Sequence, residues 1–183
     1  LSRADEGALA LDVGPIDLVA LVKGVVARFE AQAAEGDVVL AVTAPERLPA
    51  TGDAHRLEQV VSNLVANAIT YTPAGGRISV DVAGDSRSCA VTVADTGIGL
   101  APDALDRVFD RFYRVEGVAR PPGGSGIGLA IARALVRAHG GTLTASSPGL
   151  DRGATFVLRL PGTEAAGDAT GAGAGEAQVH ARA

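Results

Sequence analysis

The sequence predicts an α+β fold, a two-layer sandwich with about three helices on one face of a five-stranded mixed sheet. Three observations lead there. Residues 77–82 and 89–95 alternate apolar and polar side chains around a short glycine-containing stretch, the pattern of a hairpin. Three longer segments repeat apolar residues at helical spacing. A second pair of short strands, 142–146 and 155–160, flanks the turn sequence PGLDRG.

Taken in order, residues 1–11 carry neither a start methionine nor a helix cap and read as the tail of a helix cut from something longer. Gly14 and Pro15 interrupt. Asp17 then stands where its side chain can cap a helix whose Leu18, Leu21, Val22, Val25 and Phe29 share one face as far as Gly36. A strand is expected at 38–43, and the stretch 44–52, with Pro45 and Pro49, reads as a loop. Asp53 caps a second helix running to about Tyr71. On it Leu57, Val60, Val61, Leu64 and Ala68 form one stripe, and Asn63 and Asn67 lie one turn apart along its edge. The third helix is expected at 127–139, ended by Gly140. From Gly162 onward Val179 is the only large aliphatic among Gly, Ala and small polar residues, the composition of a disordered tail. The chain thus divides into 1–14, a linker and the remnant of a preceding element; 15–161, the folded domain; and 162–183, the tail.

Composition sets bounds on function. The 183 residues suffice for one well-filled domain. With 3% aromatic residues and neither Met nor Trp, the core must rest on Val, Leu, Ile and Ala. A net charge of −5 with no basic run argues against nucleic acid as a partner. One cysteine, Cys89, excludes an internal disulfide and a cysteine metal cluster, and its phase in the strand makes it a core residue. The opening LSRADEG carries charges where a signal peptide needs an apolar centre, and no run is long enough to span a bilayer, so a soluble, cytoplasmic chain without membrane contact is expected.

The chemistry concentrates in residues 95–129, which open with DTGIGL and close with GGSGIGLA around an irregular insert, the mark of a functional loop. Period two places Asp95 on the same face as Cys89, Val91 and Val93. A carboxylate among apolar neighbours needs a hydrogen-bond partner, and no Lys or Arg is near in sequence, which suits a ligand amine. At the other end, Gly124, Gly126 and Gly128 lead into a helix, offering bare N–H groups and a positive dipole end to phosphate. Amine, cover and anion site together describe an ATP site. The side-chain oxygen of Asn67 suits a hard cation such as Mg²⁺ shared with substrate phosphates, and Asn63 could hold a metal-bound water or a phosphate oxygen.

The stretches NLVANAITYT (63–72), DTGIGL (95–100), VFDRFYRV (108–115), GGSGIGLAIARALVRAHGG (123–141) and GATFVLRLP (153–161) resemble, in order and spacing, the N, G1, F and G2 boxes and closing strand of the ATP-binding domain of sensor histidine kinases. That family belongs to the superfamily of type II topoisomerases and mismatch-repair ATPases. The resemblance implies the Bergerat (GHKL) sandwich, with ATP and Mg²⁺ as cofactors. It further implies that Asn67 binds Mg²⁺, Asn63 assists at the phosphates, and Asp95 takes the adenine amino group. Gly97 and Gly99 would let the backbone pass close to the base, and Tyr71 would border it. Phe109 and Phe112 match lid aromatics, and Arg111 and Arg114 lie where lid cations reach the phosphates. Gly124, Gly126 and Gly128 with Leu129 match the phosphate-side box. The implied partners are a phosphoacceptor helical hairpin and a response regulator.

Three departures bear on activity. Thr70 stands where the family often has a basic residue. Asn63 stands where ATP-hydrolysing relatives carry a glutamate, and an amide cannot take a proton from water, so the site is suited to transfer. None of His55, His139 and His180 has the context of a phosphoacceptor, so the acceptor is expected on another domain or chain. The expected function is therefore ATP:protein-histidine phosphotransfer; the alternatives are a nucleotide-binding regulatory module and an ATPase of the same superfamily.

Overall fold

The computed structural model describes residues 10–113 and 126–163. Its elements are β1 (Gly14–Asp17), α1 (Leu18–Glu35), β2 (Val39–Thr43), β3 (Pro49–Gly52), α2 (Ala54–Tyr71), β4 (Arg77–Gly84), β5 (Ser88–Asp95), α3 (Ala104–Arg107), α4 (Gly128–Ala138), β6 (Thr142–Ser146) and β7 (Thr155–Pro161). Five strands form one sheet in the order β2-β4-β5-β7-β6. β2 runs parallel to β4, and the other neighbours are antiparallel. The sheet is mixed, as expected, because α2 crosses over between β2 and β4 whereas β4–β5 and β6–β7 are hairpins.

One face of the sheet is dry. Ile78, Val80 and Val82 of β4, Cys89, Val91 and Val93 of β5, Leu143 of β6, and Phe156, Leu158 and Leu160 of β7 are all buried. They meet Leu57, Val60, Val61, Leu64 and Ala68 of α2, the stripe read from the sequence, together with Val22 and Val25 of α1 and Ala132, Leu135 and Val136 of α4. Cys89 belongs to this core, and burial pushes its thiol up. Both expected caps form: Asp17 accepts the N–H of Val19 at 3.1 Å, and Asp53 that of Arg56 at 3.1 Å.

Two expectations need correction. Residues 49–52, read as loop, are β3, and Gly14 and Pro15, read as an interruption, open β1. The two strands pair antiparallel from Gly14↔Gly52 to Asp17↔Pro49 as a separate two-stranded sheet. Prolines mask both strands locally, and the partners lie more than thirty residues apart, so only the tertiary pairing reveals them. The short helix α3 also adds to the expected elements. The reading of residues 1–11 as a remnant helix lies outside the described residues except for residues 10 and 11, which are not helical. The tail expected from Gly162 lies outside them except for 162 and 163, and Gly162 is buried and donates its N–H to the Arg87 carbonyl at 2.8 Å.

Candidate nucleotide-binding site

Asp95 ends β5 opposite the fully buried Ile78, in phase with Val91 and Val93, so its side chain continues the inward row. Its Oδ1 accepts the N–H of Gly97 at 2.8 Å and of Ala154 at 3.2 Å. Burial pushes the carboxyl above the ordinary aspartate range, against the pull of those two N–H donors. Among the described residues no cation pairs with Asp95 and no hydrogen bond reaches Oδ2. One oxygen therefore holds the protein's own loop, and the other is left for an N–H from outside.

The segment after Asp95 is held against the end of α2. The N–H of Ile98 donates to the Tyr71 carbonyl at 3.1 Å, and a Cβ on Gly97 would collide with that carbonyl. Gly99 has φ +65 and lies against the Gly149 carbonyl. Both glycines are thus demanded by contacts within the chain itself.

Asn63 and Asn67 sit half-buried on α2. The Asn63 amide donates one N–H to the Gly128 carbonyl at 3.1 Å, tying α2 to the first turn of α4. Its Oδ1 stays beside Gly128. Asn67 has no hydrogen-bond partner among the described residues, and no described buried polar side-chain atom lacks one, so its amide is open to a ligand. α4 starts at Gly128 without a side-chain cap, leaving the first-turn N–H groups of Gly128, Leu129 and Ala130 without an intrahelical carbonyl.

The F-box residue Phe112 lies beside this helix start. Gly126, at φ +68, accepts the N–H of Phe112 at 3.0 Å, so the end of the F-box segment meets the residues leading into α4. Phe112 is itself left-handed, at φ 66, and 72% exposed. Phe109, grouped with it as a lid aromatic, is 8% exposed and packs edge-on against Phe156 of β7 at 6.3 Å, with the Arg133 guanidinium 4.8 Å from its ring. Its ring belongs to the core. Arg111 is exposed. Arg114 and Gly124 lie outside the described residues.

The structure thus links Asp95, Gly97 and Tyr71 on one side and Asn63 and Gly128 on the other, with Tyr71 and Asn63 both on α2. Sequence reasoning missed two contributors. Ser147 accepts the N–H of Leu100 at 3.0 Å, and nothing in its Ser-Pro-Gly context distinguishes it from any turn serine. His139 accepts the N–H of Asp53 on Nε2 at 3.0 Å and meets the Leu135 carbonyl through Nδ1 at 2.8 Å, so it pins the far end of α4 to the start of α2. Its place at the helix end was visible, but its partner was not.

Fold and site together define a two-layer α+β domain with an inward, cation-free carboxylate among its described residues and an uncapped helix start. The chain belongs to the family described as histidine kinase-, DNA gyrase B-, and HSP90-like ATPase, whose model matches residues 52–164. It is 36% identical over 162 residues to the signal transduction histidine-protein kinase BaeS of Escherichia coli K12, an alignment covering 88% of this chain and 34% of BaeS. Among solved structures, the mycobacterial sensor histidine kinase MprB superposes with a TM-score of 0.72 at 30% identity, covering 81% of this chain and 98% of that one. Full-length ShkA in complex with AMPPNP superposes with a TM-score of 0.74 at 30% identity, covering 85% of this chain and 32% of that one. The fold and family expected from the four boxes are borne out: this is an ATP-binding domain of the histidine kinase type. It spans about a third of the length of BaeS. Among the described residues no helix is long and apolar enough to cross a membrane.

Proposed function

We propose that this domain binds Mg-ATP and transfers the γ-phosphate to a histidine on a separate helical hairpin, from which a response regulator then takes it. Asp95 carries the reading: an inward carboxylate with one oxygen held by backbone N–H groups and, among the described residues, no cation beside it is a receptor for an amine. The adenine amino group fits it. The uncapped start of α4 provides N–H groups and a dipole end for the triphosphate, with Arg111 and Arg114 of the cover added from outside.

Among the described residues no group of three or more His, Cys, Asp or Glu side chains could enclose a metal. That suits Mg²⁺, which is commonly held by one or two protein oxygens together with substrate phosphates. Asn67 would supply such an oxygen. When bound, the cation neutralises charge on the phosphates. Asn63 would keep α2 and α4 in register through Gly128 and present its Oδ1 beside them. Tyr71, Gly97 and Gly99 frame the base side; Phe112, with Phe109 as its anchor, belongs to the cover; Leu129 supports the phosphate side together with Gly124, Gly126 and Gly128.

Phosphoryl transfer needs positioning and charge stabilisation more than covalent help from the protein. The acceptor imidazole nitrogen forms the N–P bond as the bond from the γ-phosphorus to the bridging oxygen breaks, and ADP leaves. Neither Asn63 nor Asn67 can remove a proton from water, which favours transfer over hydrolysis. In this reading residues 15–161 are the catalytic domain, 1–14 lead in from the acceptor hairpin, and the site acts in the cytoplasm.

The test is phosphorylation of a supplied acceptor hairpin by this chain with Mg-ATP. An acid-labile phosphohistidine that disappears with Asn67→Ala supports the reading. Nucleotide binding without labelling would point to a regulatory module, and steady phosphate release without an acceptor would point to an ATPase.

A further inference from the structure

One hydroxyl outside the four boxes grips the adenine-side loop from behind. Ser147 follows β6 and opens the connection to β7. Its Oγ accepts the N–H of Leu100 at 3.0 Å and of Gly149 at 3.1 Å, and donates to the Gly153 carbonyl at 2.7 Å, with the Gly149 carbonyl also at 3.1 Å. A serine hydroxyl has one proton and two lone pairs, so these partners use its full capacity.

From Gly153 the connection runs on to the acid. The Gly153 N–H donates to the Gly97 carbonyl at 3.0 Å, and that of Asp151 to the Ile98 carbonyl at 2.7 Å. Ala154, the next residue, accepts the N–H of Asp95 at 2.9 Å and donates to its Oδ1 at 3.2 Å. Gly99 fits only because it lacks a Cβ, whose place would lie against the Gly149 carbonyl and 3.1 Å from the Ser147 Oγ. The whole stretch 95–100 is therefore backed by residues 147–154, and Ser147 is the one side chain of that backing that bonds both to residues 95–100 and to its own loop.

We propose that Ser147 is a positioning residue for adenine recognition: by joining Leu100 to Gly153 it sets the Gly97 and Ala154 contacts that occupy Asp95 Oδ1, leaving Oδ2 for the base. This rests on the ATP reading of the site. Losing the hydroxyl orphans two N–H groups and one carbonyl, which frees the loop that carries the acid. The effect falls on the base, because the start of α4 is held from the other side by Asn63.

The experiment measures affinities of the full chain for Mg-ATP and for Mg-ITP, whose base has a carbonyl in place of the amine. Wild type prefers ATP by about tenfold or more, the worth of one hydrogen bond to a charged group. Ser147→Ala keeps its ITP affinity to within about twofold but loses most of the preference for ATP, and Ser147→Thr restores it. Circular dichroism confirms folding; if the alanine variant does not fold, Ser147→Cys, with its weak thiol hydrogen bonding, carries the same comparison. A wild type without preference overturns the adenine reading itself. A wild type with preference and an alanine variant with the same preference, or with both affinities reduced alike, overturns the role of Ser147.

Discussion

In the proposed function Asp95 both costs stability and supplies recognition. Its carboxyl is raised by burial, so the folded state favours the protonated acid more than the unfolded chain does. The stability this contributes is fully present below the ordinary aspartate pKa and is lost as pH rises through the raised folded-state value. Recognition runs the opposite way, since only the carboxylate accepts strongly from an amine. Asp95→Asn should therefore melt no lower than wild type at neutral pH, because Asn can still accept from Gly97 and Ala154 through its oxygen. Thermal melts across a pH series should show the variant's advantage growing over the window just above the ordinary aspartate range. An advantage that is flat with pH would contradict the burial argument.

At the scale of elements, the local patterns were legible where the physics is local. The alternation of β4 and β5, the apolar stripe of α2, and the caps at Asp17 and Asp53 could be read because each depends on residues within a turn or two of one another. The pairing of β1 with β3 could not, for it joins two proline-bearing segments across α1 and β2. The F-box neighbourhood of Phe109 suggests a lid aromatic, yet its burial against Phe156 comes from a strand nearly fifty residues on. The Asp95 row was legible from period two; the loop behind it was not, since residues 147–154 reach it only through the β6–β7 hairpin. Gly99 makes the consequence testable. Alanine there must hold a left-handed φ, at about 1–2 kcal/mol, and push the Gly149 carbonyl away. Gly99→Ala should keep its far-UV circular dichroism while losing about tenfold or more in ATP affinity, read by fluorescence competition; undiminished affinity would show that the loop tolerates the shift.

Over the whole molecule, one dry layer positions both ends of the proposed site. α2 carries the two amides and rests through Leu57, Val60, Val61 and Leu64, all fully buried, on the sheet that ends in Asp95. The geometry of the proposed base and phosphate sides is thus a property of core packing. Leu64→Ala should destabilise the domain by about 2–5 kcal/mol in urea unfolding, the usual range for a fully buried leucine. A loss under about 1 kcal/mol would mean the layer repacks freely, against the density of ordinary cores.

The central claim is that Asp95 reads the adenine of a bound Mg-ATP. Calorimetric titration of Mg-ATP into wild type and Asp95→Asn tests it most directly. Saturable one-site binding by wild type, weakened about 10- to 100-fold in a folded Asp95→Asn protein, is the predicted result for a lost hydrogen bond to a charged acceptor. Absence of binding by wild type, or equal affinity in the two proteins, would contradict it.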